Sequence, residues 1–188
     1  FQITSFVVVF FQQFVNFSEH TNMNRIGKYF PFPELINDVA ARFVALGVLS
    51  MSLVAFAFVL YQTPIAYVPM VMLLYGFAAR VGFGPKLSPL ALLVTKIIVP
   101  KTPFNEKYVP GPPKRFAQII GLITSAIILI SMILGYPIIS GIFLLILSLF
   151  AFLESALGYC FGCKIFKALI HLGLIPESTC ELCANYNY

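Results

Sequence analysis

All four cysteines of the chain lie near its C-terminal end, in two CxxC pairs. The first pair is Cys160 and Cys163, the second is Cys180 and Cys183, and sixteen residues separate them. Four thiolates at this spacing can close a tetrahedral zinc site, and an iron–sulfur cluster also uses four thiolates. Each pair alone can instead cycle between dithiol and disulfide. The spacing favours a structural metal over a redox dithiol, with four reduced thiols without a function as the third possibility.

The composition places these thiols in an integral membrane protein. Sixty per cent of the residues are apolar, 10% are charged, and the mean hydropathy is +0.92. A soluble globular chain has about 25% charged residues. The 188 residues allow a few spans and short connections, but no separate soluble enzyme domain. The net charge of +5 comes from Lys and Arg residues, which in a membrane protein indicate the orientation across the bilayer and contact with anionic lipid. Without a basic recognition helix or a binding module, we expect no nucleic-acid partner.

Four apolar segments separated by turn residues predict four transmembrane helices. We predict spans at residues 39–60, 65–79, 116–135 and 137–157, so that the fold class is an all-α membrane bundle. The chain then divides into an N-terminal apolar arm and loop (1–36), a first transmembrane hairpin (37–80), a connection (81–115), a second hairpin (116–158) and a cysteine-rich tail (159–188).

Shorter helices are expected at the membrane interface. Glycines and prolines exclude a continuous helix through the connection, and its apolar stretch 90–99 is too short to span, so we predict an interfacial helix there. Asn37 or Asp38 is a plausible N-cap for the first span. A short amphipathic helix at 164–172 is expected between the cysteine pairs, with Lys164, Lys167 and His171 on one face.

The basic residues predict the orientation of the bundle. All twelve Lys and Arg lie on one side, and the two short hairpin turns at 61–64 and 135–137 hold none. By the positive-inside rule, both ends of the chain and the long connection face the cytoplasm. Stable structural disulfides are rare in that compartment. Bound metal, reduced thiols and a cycling dithiol are therefore the remaining interpretations of the cysteines.

Charged residues near the cytoplasmic ends of the spans are the other candidate site. Glu154 is the acidic residue that falls inside a predicted span, and intramembrane carboxylates are costly and usually paired. Arg80 and Arg42 lie at the same depth, so we predict a structural ion pair of Glu154 with one of them. The alternative is a proton or substrate site beside the thiols. Lys114 and Arg115 open the third span as anchors, or contact lipid phosphate or a partner.

Three sequence blocks carry a family resemblance. They follow Arg80 in the order FGPKLSPLALL (83–93), PGPPKRFAQIIG (110–121) and LESALGYCFGC (153–163). From roughly residue 38 to residue 183 the chain resembles the bacterial membrane-protein family called domain of unknown function 4395. The resemblance implies a small four-helix protein of the bacterial inner membrane, without an assigned activity. An association of some members with thioredoxin-like proteins would favour thiol chemistry.

Two function classes follow from these observations. The first is an accessory subunit of a larger membrane complex, with the four cysteines as a structural metal site. The second is a membrane thiol-redox protein that exchanges electrons with a thioredoxin-like partner. The spans contain too few polar residues for a stand-alone transporter.

The charge distribution generates a prediction about accessibility in intact cells. In a cysteine-free background, Lys101→Cys in the connection should resist a membrane-impermeant maleimide until the cells are permeabilised. Gln62→Cys in the first hairpin turn should be labelled from outside and serves as the matched control. Gel shifts after labelling measure both, and rapid labelling of Lys101→Cys in intact cells would overturn the orientation.

Overall fold

The computed structural model describes residues 35–104 and 107–173. The predicted N-terminal arm, apart from its last two residues, lies outside the described residues. So do Cys180 and Cys183 in the predicted tail.

Within the described residues, six α-helices and one short strand pair form the fold. Strand β1 is Leu35–Asn37 and strand β2 is Tyr108–Pro110. The helices are α1 (Asp38–Leu60), α2 (Tyr67–Phe83), α3 (Pro89–Leu93), α4 (Gly111–Ile133), α5 (Pro137–Leu157) and α6 (Phe161–His171). Helices α1, α4 and α5 are long and apolar enough to cross a membrane, as is α2 together with its flanking 3-10 turns. The predicted fold class is confirmed.

The helix bounds differ most from the predicted ones at α4 and α3. Helix α4 begins at Gly111, before the expected start at 116, because Pro112 and Pro113 fall in its first turn. Proline is tolerated there, since the first-turn N–H groups have no intrahelical acceptor. The predicted interfacial helix 90–99 is a short α-helix, α3, followed by a π turn at Val94–Ile98.

The four long helices form a closed ring in the order α1, α2, α4, α5. The most extensive interface is between α1 and α5. In its centre the buried hydroxyls of Ser52 and Ser148 lie 2.8 Å apart. Small and hydrogen-bonding residues of this kind let membrane helices approach closely. The core around this interface includes the fully buried side chains of Met70, Ile128 and Leu144.

The two strands fix the N-termini of α1 and α4 side by side. They are antiparallel, with Leu35 opposite Pro110 and Asn37 opposite Tyr108. The Asn37 side chain caps α1 by accepting hydrogen bonds from two backbone N–H groups of its first turn, at 2.9 and 3.3 Å. This confirms Asn37 as the N-cap. Helices α2 and α5 return to the same end, so four helix ends meet there.

A sharp turn after α5 directs α6 across this end of the bundle. Gly158 has a left-handed backbone (φ 66°), and the Arg42 guanidinium occupies the space where a β-carbon would lie. Helix α6 then packs chiefly on α4, with Gly162 against Ala117. The Phe150 and Phe161 rings stack with centroids 4.8 Å apart and hold α6 to α5.

The close approach of α6 to α4 predicts the effect of adding one methyl group. In Gly162→Ala the new β-carbon would lie 2.7 Å from the Ala117 α-carbon, a backbone atom that cannot move aside alone. Overpacking of this kind costs about 1–3 kcal/mol, against a gain in helix propensity of up to about 1 kcal/mol. Unfolding in detergent should show a net loss of stability.

Gly82→Ala in α2 is the matched control, because a β-carbon at Gly82 meets nothing within 4 Å. This variant should be neutral or slightly more stable. Equal stability of the two variants would contradict the packing described for α6.

Candidate charged site beside the cysteine pair

A buried lysine joins three helices at the end of the bundle where α6 packs. Lys114 in the first turn of α4 is 3% exposed. Its Nζ lies 3.1 Å from Oδ1 of Asp38 in α1 and 2.8 Å from Oε1 of Glu154 in α5. Oδ2 of Asp38 also accepts a hydrogen bond from Nε of Arg42, one turn further along α1, at 3.1 Å. The four side chains form a chain of alternating charge, called here the ion chain.

The ion chain corrects the pairing expected from the sequence. Glu154 is paired, but its partner is Lys114 and not Arg80 or Arg42. The reason is the early start of α4, which brings Lys114 into the helix and turns it inward. Arg42 is held by Asp38 in its own helix. The burial of Lys114 also contradicts its expected exposure to lipid phosphate or a partner.

Arg115, the other residue expected to face lipid or a partner, is half-buried. Its Nε donates a hydrogen bond to the backbone carbonyl of Val81 at 3.1 Å. Arg115 thus ties α4 to the end of α2. Its contact with lipid or a partner stays a prediction.

Arg80 is a second buried cation, 6% exposed, and it faces neutral groups. Its Nε donates to Oε1 of Gln118 at 2.7 Å, and its Nη1 donates to the hydroxyl of Ser88 at 3.2 Å. The guanidinium also lies over the Phe77 ring, 4.6 Å from the centroid. Such contacts engage two of the guanidinium nitrogens and one ring face without neutralising the charge. The Glu154 carboxylate forms its ion pair with Lys114 and not with Arg80.

The first cysteine pair opens α6. Cys160 is the N-cap residue, and its Sγ accepts a hydrogen bond from the Cys163 N–H at 3.3 Å. The two residues are joined by a disulfide bond, with their α-carbons 5.3 Å apart. Cys160 is 7% exposed and Cys163 is fully buried. N–H groups at a helix start stabilise a thiolate, so this position suits a reactive sulfur once the bond is reduced.

Only two of the four cysteines of the predicted metal site lie among the described residues. The structure brings Cys160 and Cys163 together, while Cys180 and Cys183 lie outside the described residues. Among residues 35–104 and 107–173, no group of three or more His, Cys, Asp and Glu residues could hold a metal ion. Zinc or an iron–sulfur cluster bound by all four cysteines therefore stays a prediction.

A cavity of about 240 Å³ is lined by both Cys160 of the disulfide and the buried Arg80. Its walls are mostly apolar and come from the four long helices and α6. Five polar residues contribute to the lining, namely Arg80, Gln118, Thr124, Glu154 and Cys160. The cavity therefore has a redox-capable sulfur at one place on its wall and a buried guanidinium at another.

Sequence reasoning missed the roles of Asp38, Gln118 and Ser88. Asp38 was considered only as a cap, although it is the second carboxylate at this depth. Gln118 lies one turn after Lys114, and a polar pair at that spacing in an apolar helix signals an inward-facing side. Ser88 carries no comparable signal, because its place beside Arg80 depends on the path of the chain after α2.

The fold and the site together define a small multi-pass membrane protein with a buried charge cluster beside a CxxC pair. The chain matches the family model described as Domain of unknown function (DUF4395) over residues 36–171, and it belongs to that family. The matched region contains the ion chain, Arg80 and the first cysteine pair. No match was found among curated proteins or among solved structures.

The ion chain predicts a large loss of stability for Lys114→Met. This variant leaves Asp38 and Glu154 near each other without their shared cation, and breaking a buried ion pair costs about 3–5 kcal/mol. The free energy of unfolding in mixed detergent micelles measures the effect. Adding Glu154→Gln to Lys114→Met should restore part of the loss, because one of the two uncompensated carboxylates is removed.

Lys96→Met is the matched control, since Lys96 is exposed. It should change the free energy of unfolding by less than about 0.5 kcal/mol. Similar losses in Lys96→Met and Lys114→Met would contradict a special role for the buried lysine.

Proposed function

We propose that this protein is a membrane thiol–disulfide protein whose working groups are Cys160 and Cys163. The observation that carries the proposal is the position of the pair: a disulfide at the start of α6, with the Cys160 sulfur as N-cap. This position lets the two sulfurs alternate between a bond to each other and a thiolate stabilised by backbone N–H groups. A redox function needs no residue beyond this pair.

The proposed reaction is exchange with the dithiol of a thioredoxin-like protein. A partner thiolate attacks Sγ of Cys160, because Cys163 is fully buried. The Cys160–Cys163 bond breaks, a mixed disulfide forms and Cys163 leaves as a thiolate. The second partner thiol then attacks the mixed disulfide and releases Cys160. Two electrons pass to the pair, the two protons from the partner thiols end on Cys160 and Cys163, and the partner becomes a disulfide.

We place the reaction on the cytoplasmic side of the bacterial inner membrane, with both ends of the chain on that side. The support is the distribution of charge: the Lys and Arg among the described residues lie at or beyond the helix ends that carry the ion chain, and the two opposite turns have none. A soluble dithiol partner would meet Cys160 at this face. In a reducing compartment a CxxC disulfide is a transient, catalytic state and not a structural bond.

The second candidate function is that of an accessory subunit of a larger membrane complex, with a structural zinc or iron–sulfur site. The specific observation in its favour is the spacing C-x2-C-x16-C-x2-C, together with the contact between the first two sulfurs. Four thiolates from both pairs would attach the tail to the end of α5. The apolar outer faces of the helices suit lipid and other subunits equally.

The difference in burial predicts which cysteine reacts first. With Cys180 and Cys183 replaced by Ser, reduced Cys163→Ser protein should react with oxidised glutathione, forming a mixed disulfide at Cys160 and releasing one glutathione thiolate. The corresponding Cys160→Ser variant should react at least about tenfold more slowly, because the remaining sulfur is buried. Mass spectrometry of the glutathione adducts over time measures both rates, and equal rates would contradict the assignment.

Metal content separates the two candidates in the same preparation. The redox proposal expects protein purified under reducing conditions to have a titratable dithiol in the first pair and no stoichiometric metal. About one zinc per chain, or iron with acid-labile sulfide, that is lost when either pair is replaced would instead support the structural metal site.

A further inference from the structure

We propose that the cavity beside Cys160 binds the head group of a lipid-soluble quinone, which reoxidises the reduced cysteine pair. The inference rests on the proposed function, because it assumes that Cys160 and Cys163 cycle between dithiol and disulfide. It adds the chemical class of the second substrate.

The size of the cavity limits its occupant to a single small ring system. Its volume of about 240 Å³ lies just below the range of about 300–1,000 Å³ found for pockets that take drug-sized ligands. A peptide or a nucleotide would not fit. The lining is apolar over most of its area and includes three aromatic rings, from Phe77, Phe150 and Phe161. Such walls suit a flat, uncharged ring.

The polar part of the lining suits a ligand oxygen that gains negative charge when the ligand is reduced. The ion chain and Arg80 together hold three cations and two carboxylates, which leaves one positive charge in excess within this group. Of these, Arg80 and Glu154 line the cavity. The Glu154 carboxylate is paired with Lys114, whereas Arg80 is hydrogen-bonded to neutral groups. Reduction of a quinone places negative charge on its carbonyl oxygens. A preorganised, buried guanidinium stabilises that charge in a low-dielectric site.

The cysteine pair supplies the electrons in the required number. Of the two cysteines, Cys160 contributes to the cavity lining, and Cys163, which is bonded to it, lies in the first turn of α6. Oxidation of the two thiols forms the S–S bond and releases two electrons and two protons. The quinone takes up both electrons and both protons and leaves as a quinol. The membrane-spanning fold adds a supply route, because a lipid-soluble carrier reaches the helices by diffusing within the bilayer.

The experiment uses the full chain in lipid nanodiscs and ubiquinone-1 as the probe. The protein is first reduced with dithiothreitol, which is then removed, and alkylation with mass spectrometry counts the thiols of the first pair. Addition of ubiquinone-1 without oxygen should restore the Cys160–Cys163 disulfide and form one quinol per pair. In Arg80→Gln this oxidation should be at least tenfold slower. Lys86→Gln removes one positive charge from an exposed position and should match the unchanged protein.

A second variant guards against failure of Arg80→Gln to fold. Thr124→Phe places a ring into the cavity from the half-buried wall of α4, and it should also slow oxidation by quinone at least tenfold. If the pair is reduced by dithiothreitol but ubiquinone-1 leaves it reduced, the quinone inference is wrong and the thiol–disulfide function stands. Equal rates of oxidation in unchanged protein, Arg80→Gln and Thr124→Phe would mean that ubiquinone-1 oxidises the thiols without binding in the cavity. That result would also overturn the inference. A pair that dithiothreitol does not reduce would overturn both proposals.

Discussion

The arrangement of this protein depends on one buried ammonium group. Lys114 binds carboxylates from two other helices, so its position fixes α1, α4 and α5 relative to one another. Removing charges from water is costly, and the cost is offset only while all the partners stay in place. The ion chain therefore serves to align the helices of the bundle more than to add net stability. Helix α6 and the cysteine pair are built on the helix ends that it aligns.

Much of the fold follows from the sequence because a membrane imposes simple constraints. Every backbone polar group in a span must be satisfied within a helix, and a span needs about 20 apolar residues. The ends of α1 and α5 were predicted almost to the residue for this reason. The start of α4 was not, because proline near a helix start is compatible with either a loop or a first turn. That ambiguity concealed the inward direction of Lys114.

The site was less predictable than the fold because it depends on which side chains of different helices lie within contact distance of each other. The sequence indicated a paired Glu154, but three cations lie at a similar depth, and hydropathy does not distinguish among them. The contact of Arg80 with Gln118 depends on how α2 packs on α4. The CxxC pattern predicted a reactive or metal-binding pair. The start of a new helix after Cys160 depends on the left-handed turn at Gly158, which the CxxC pattern does not predict.

The strand pair has a consequence for the order of assembly. Strand β1 precedes the first transmembrane hairpin and β2 precedes the second, so the pair cannot close until the chain has been synthesised beyond residue 110. Asp38 follows β1 directly, and its carboxylate can stay at the water interface until Lys114 emerges from the ribosome. Pairing of the two strands then brings Lys114 to the carboxylate of Asp38. The two hairpins can thus insert independently, and the pairing of β1 with β2 then joins them in a single bundle.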